Sequence, residues 1–145
     1  MNYARGTKKG FTLLELLVVI TIIGLLSSVG LASYTRAQAR ARDAKRQSDM
    51  TTLRNALELY YSENNVYVNT GGAWQAITTP LVVLVPNYTK QLPADPGGQG
   101  LAYRYRSVTT NQGYCLEGKL ETATSTSTTC TVSLETNYNY GVGNP

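Results

Sequence analysis

Apolar residues crowd one end of the chain. From Phe11 to Tyr34 the run "FTLLELLVVITIIGLLSSVGLASY" holds a single charged residue, Glu15. At about 1.5 Å per residue such a helix is roughly 36 Å long, more than the ~30 Å hydrocarbon core of a bilayer. The run therefore predicts a membrane-spanning helix over 11–34, or one packed among other apolar helices. A secretory signal peptide is a poorer reading, because its apolar region is typically about 7–15 residues. Past Tyr34 nothing breaks the helix: there is no glycine before Gly71 and no proline before Pro80. The intervening residues are mostly good helix formers. Met50, Leu53, Leu57, Tyr60 and Tyr61 follow steps of three and four, a stripe that needs a globular partner. One helix is thus expected to change character along its length. It is apolar all round over 11–34, then charged and finally amphipathic over 35–63.

After "SENNVYVNTGG" the helical pattern stops and residues 64–145 read as a globular head. A linking region runs to about Pro96, with Trp74 and "PLVVLVP" as apolar anchors. Pro80 is placed to open a short helix, although the valines suit a strand equally well. "LPADPGGQG", residues 92–100, has the prolines and glycines of a sharp turn. Strands are predicted at 101–108, 113–121 and 129–135, joined by short polar connectors as an antiparallel meander. The expected fold is α+β, with the amphipathic half of the helix packed on a small sheet and the apolar half protruding.

Charge refines this picture. The formal net charge is +4, and Arg36, Arg40, Arg42, Lys45, Arg46 and Arg54 lie in the first half. Residues 107–145 carry Lys119 as their only cation, and their Thr- and Tyr-rich sequence reads as exposed surface. The basic stretch is interleaved with Asp43 and Asp49 rather than gathered on one face, so DNA as a partner is weakly supported. An electrostatic collar near the membrane or between subunits fits better. Asp43, Asp49, Glu58 and Glu63 read as a solvated, salt-bridged helix face. Basic residues flank the apolar run on both sides, so charge alone does not set its orientation.

Candidate chemistry is sparse. The chain has no histidine, the commonest general base and metal ligand, and its two cysteines, Cys115 and Cys130, lack zinc or redox spacing. No catalytic residue, metal or cofactor is expected. The cysteines suggest an oxidising compartment and a disulfide, with two intracellular thiols as the alternative. Gly24, Ser28 and Ala32 recur every four residues and would line a strip for close helix packing, unless they reflect only the frequency of small residues in spans. Asn87-Tyr88-Thr89 and "TATSTSTT" (122–129) match glycosylation patterns but read as plain solvated loops.

The segment "KKGFTLLELLVVITIIGLLSSVGLASY" resembles the N-terminus of type IV prepilins and of type II secretion pseudopilins. It combines a short basic leader, a glycine, an aromatic residue, a placed acid and a long apolar run. The resemblance implies that residues 1–10 are a leader cut after Gly10, that the new amine of Phe11 is methylated, and that Glu15 serves filament assembly. It also implies a basic leader on the cytoplasmic side and a head outside. "LPADPGGQGLAYRY" is similar to a segment before the sheet in several pilins and major pseudopilins. Two departures stand out. Ala32 occupies a position where many members have proline, which bears on melting of the helix inside a filament. Major pseudopilins bind calcium near the C-terminus through Asp-containing loops, whereas "LETNYNYGVGNP" offers Glu135 as its only anion.

That second departure favours a type IV pilin over a pseudopilin. The expected function is a structural subunit of an extracellular filament, made as a single-pass membrane precursor and polymerised with copies of itself. The implied partners are a prepilin peptidase and N-methyltransferase, and the inner-membrane assembly machinery. The main alternative is a major pseudopilin of a type II secretion system. A DNA-uptake filament and a plain single-span adhesin are weaker alternatives.

Overall fold

The structure, a computed structural model, describes residues 10–97, 101–108, 110–123 and 126–144, with the backbone alone at positions 29, 30 and 32. Two compact units divide the chain, one ending at Ala37 and the other beginning at Gln38. Helix α1, Leu13–Asn64, contributes to both.

In the first unit α1 is apolar on every side. Leu13, Leu14, Leu16, Leu17, Val18, Val19, Ile20, Ile22, Ile23, Leu25 and Leu26 are all exposed. Its hydroxyls turn inward on the helix: Thr21 Oγ1 donates to Val18 O at 2.7 Å and Ser28 Oγ to Leu25 O at 2.8 Å. Such back-bonding leaves an apolar surface suited to lipid or to other helices. By length and composition the helix can cross a membrane.

The second unit is an α+β head. Five strands form one sheet in the order β1-β2-β3-β5-β4, with β1 Gln75–Ala76, β2 Arg104–Ser107, β3 Tyr114–Gly118, β4 Ser127–Thr128 and β5 Tyr140–Gly143. All neighbours are antiparallel except β4 and β5, which run parallel. Pro80–Leu84 forms a 3₁₀ helix with proline in its first turn, settling the helix-or-strand choice there.

The α1 stripe packs against the inner face of the sheet. Met50, Leu53 and Leu57 are fully buried with Tyr103, Tyr105, Tyr114 and Leu116, and Leu81 and Leu84 complete the core. Tyr60 and Tyr61 lie at its edge, the latter stacked on Tyr67 at 4.5 Å between ring centres.

The outer face of β3 carries Cys115 and Glu117, both buried. They are covered by the segment following β4, which the Cys115–Cys130 disulfide fastens with its Cα atoms 5.4 Å apart.

Three sequence expectations need correction. The predicted strand at 129–135 is irregular, and the sheet uses β4 and β5 on either side of it, so the topology is no simple meander. The cause lies in packing. A Cβ on Gly143 would come within 2.9 Å of Tyr114 O and 3.2 Å of Cys130 Cα, so β5 must be glycine-rich where the covering segment crosses it. Glycine is exactly the residue that strand propensity discounts. Secondly, within the stretch 107–145 read as exposed surface, Tyr114 is buried, and it joins Tyr67, Tyr103 and Tyr105 in the core. Each hydroxyl is satisfied, Tyr103 by Asp49, Tyr105 by Val68 O, and Tyr67 and Tyr114 by Glu58. Thirdly, Asp43 and Asp49 are buried rather than solvated.

Candidate functional site

The start of α1 is built by its own sequence. Thr12 and Glu15 stand three apart, the spacing of a capping box. Thr12 N and Thr12 Oγ1 donate to Glu15 Oε2 at 2.9 and 2.8 Å, and Glu15 N donates to Thr12 Oγ1 at 3.2 Å. The carboxylate sits in the first turn, where the helix dipole favours negative charge. The Thr-x-x-Glu spacing that builds this box is legible in the sequence. Phe11, next to this box, is exposed, as is Gly10. Residues 1–9 of the expected leader lie outside the described residues. Gly24 has open space where a Cβ would be added. Ser28 is exposed, and the Ala32 side chain lies outside the described residues.

The charged stretch of α1 that enters the head is an internal clamp. Arg46 is 1% exposed and continues the apolar stripe one turn toward the N-terminus, four before Met50. Each of its five N–H donors finds an acceptor. Nε and Nη2 fork onto Asp95 at 2.5 and 3.3 Å, Nη1 serves Asp43 at 2.9 Å and Glu121 at 2.7 Å, and Nη2 also donates to Gly97 O. Arg42 forms a second fork on Glu121 at 2.8 and 2.6 Å. Asp43 accepts the backbone N–H groups of Glu121 and Thr122, both at 2.8 Å. Three segments distant in sequence are thereby tied together: α1, the 92–97 turn and the loop after β3.

These contacts set the charges. The Arg42 fork, aided by Arg46, pulls the Glu121 carboxyl down to about 2. Burial alone would raise Asp43, but its two backbone donors, the Thr122 hydroxyl and Arg46 outweigh it and lower the carboxyl. Burial likewise opposes charge on Arg46, and its carboxylate partners override that and raise it. The expected electrostatic collar is, at Arg42, Lys45 and Arg46, a set of ion pairs within the head. Lys45 pairs with Asp49 at 2.5 Å.

A family model described as a prokaryotic N-terminal methylation motif matches residues 5–31. Type II secretion system core protein G of Escherichia coli is 39% identical over 102 residues, 66% of this chain and 70% of that protein. Its counterpart in Vibrio cholerae is 35% identical over 100 residues, 65% of this chain and 68% of that protein. The chain belongs to the type IV pilin and type II secretion pseudopilin family. The type IV major pilin protein PilA of Myxococcus xanthus is 32% identical over 59 residues, 41% of this chain but 27% of that pilin. No solved structure gives a match.

Membership makes the calcium of major pseudopilins a question for this head, and the residues do not fit it. Glu135, the one carboxylate of residues 134–144, is ion-paired with Arg104. Asn139 is consumed on both sides of its amide by Leu120, accepting from the N–H at 2.7 Å and donating to the carbonyl at 3.0 Å. Among the described residues no group of three His, Cys, Asp or Glu side chains is arranged to hold a metal. Calcium takes about six to eight oxygen ligands, and this pilin-like head presents a guanidinium instead.

Proposed function

We propose that the chain is the core subunit of a type II secretion pseudopilus rather than of a surface pilus. The observation that carries this is the extent of likeness: two core G proteins match over about two thirds of their length, whereas the pilin relative matches over 27% of its own. The single carboxylate of "LETNYNYGVGNP", too few for calcium, points the other way. It concerns one loop, and the likeness runs through most of the chain.

The mechanism is one of assembly, not catalysis. A membrane peptidase hydrolyses the Gly10–Phe11 bond, and the freed Phe11 amine, then methylated, lies one turn from Glu15 on the same helix side. The capping box keeps the carboxylate in place while the precursor waits in lipid. On docking, Glu15 of one subunit meets the Phe11 ammonium of the next, and the exposed apolar helices leave lipid for a bundle of identical helices. The Gly24 and Ser28 positions permit close approach there. The heads stay outside the inner membrane and form the filament wall. Partners are copies of the chain, the processing enzyme and the inner-membrane assembly machinery.

The test is a deletion of the gene in its own cells. Exported enzymes should collect behind the outer membrane and reach the medium again on complementation. Normal export combined with loss of surface filaments would instead establish the pilus reading.

A further inference from the structure

Where the covering segment meets the outer face of the sheet lies a group of charges, with Glu117 buried and the Glu135 side chain 45% exposed. Arg104 on β2 and Glu117 on β3 are directly paired across the sheet, on its outer face. Glu117 is fully buried, and its Oε2 accepts Glu135 N at 3.0 Å while its Oε1 has no hydrogen-bond partner. Arg104 Nη1 stands 3.8 Å from that Oε1 and is ion-paired with Glu135 Oε2. Its Nη2 donates to Trp74 O at 2.9 Å, and its Cζ lies 5.8 Å from the centre of the Tyr138 ring. Two carboxylates, a carbonyl oxygen and an aromatic face thus surround one positive charge.

Those surroundings are the ingredients of a cation site, with a side chain as the occupant. A buried carboxylate oxygen without a hydrogen bond is expensive unless a charge faces it. Among the described residues Arg104 is the one guanidinium within 4 Å of both carboxylates, with Arg106 the next positive charge acting on Glu117, and Glu117 Oε1 stands 3.8 Å from Nη1, beyond hydrogen-bond reach. We propose that Arg104 is the resident counter-cation of a Glu117–Glu135 site that would otherwise take a hard divalent cation such as calcium. The head's C-terminal segment is therefore held without calcium. This holds for a pseudopilus and a pilus subunit alike, so it stands or falls apart from the function proposed above.

The experiment uses the full chain in detergent, with thermal unfolding followed in calcium and in EGTA. Terbium luminescence excited through Trp74, the only tryptophan, reports cation binding directly. The native chain should show the same midpoint in both conditions and no terbium signal, and Arg104→Lys should behave likewise. Arg104→Met should unfold about 5 °C or more lower in EGTA, recover at least half of that loss in calcium, and gain a terbium signal. Adding Glu117→Gln to Arg104→Met should abolish the response. A calcium-dependent midpoint in the native chain overturns the proposal. So does a folded Arg104→Met that ignores calcium, or a terbium signal that survives Glu117→Gln. Should Arg104→Met not fold, the native chain and Arg104→Lys still decide, since calcium dependence in either refutes it.

Discussion

Arg46 Nη1 and Glu121 Oε1 meet at 2.7 Å across 75 residues of chain, at a guanidinium that is 1% exposed. This contact joins the middle of a helix to the loop after the central strand. The head is therefore closed by charge at one end of its core and by tyrosines and leucines along the rest.

Replacing Arg46 by Met should destabilise the head by about 3–5 kcal/mol, because Asp43, Asp95 and Glu121 lose a shared partner inside the protein. Arg46→Lys should recover little, since an ammonium cannot fork onto Asp95 while also reaching Asp43 and Glu121. Thermal unfolding of the full chain in detergent checks this, with a fall of about 10 °C or more expected for Met. A fall within a degree or two would mean that the clamp is ornamental.

The same cluster sets an acid limit. The Glu121 carboxyl falls from its usual 4.5 to about 2 in the folded head, and Asp43 is lowered as well. A lowered folded value means stability that is present above the unfolded value and is lost as pH falls toward the folded one. Glu117 has the opposite sign: burial raises it, so its contribution declines as pH rises. Comparing the native chain with Glu121→Gln removes the Glu117 contribution, which both share. The native advantage in urea midpoint should shrink steadily between about pH 4.5 and about pH 2. An advantage that stays constant over that window would contradict the assignment.

Cys115 and Cys130 are 15 residues apart in sequence. Closing a loop of that size is worth about 3 kcal/mol in the chain-entropy model. The double serine variant should lose about that much in denaturant titration while still partitioning into membranes through α1. Gly143→Ala should weaken the same region, because its new Cβ would press on the Tyr114 carbonyl. If both variants unfold at the native midpoint, the covering segment contributes nothing to the head.

Much of this was legible in the sequence where periodicity carries the signal. The apolar run, the Met50–Leu53–Leu57 stripe and the α+β class follow from spacing alone. Extending that stripe backward by four and then three reaches Arg46 and Asp43. A buried guanidinium obeys helix geometry as leucine does, but composition labels it as surface. Tyr114 misled for a similar reason, since a hydroxyl reads as polar until Glu58 is known to meet it. Strand β5 was hidden because its glycines answer to the segment lying over them, a contact that no local pattern contains.

The central claim is assembly through the start of α1, where Glu15 now caps its own helix through Thr12. Its most direct test is the yield of sheared filaments from cells whose only copy carries Glu15→Leu, with the N-terminal peptide of the same protein read by mass spectrometry. Membrane-inserted protein beginning at Phe11, with filaments absent, is the predicted result. Filaments at native yield from the Leu variant would contradict it and leave Glu15 as a helix cap alone.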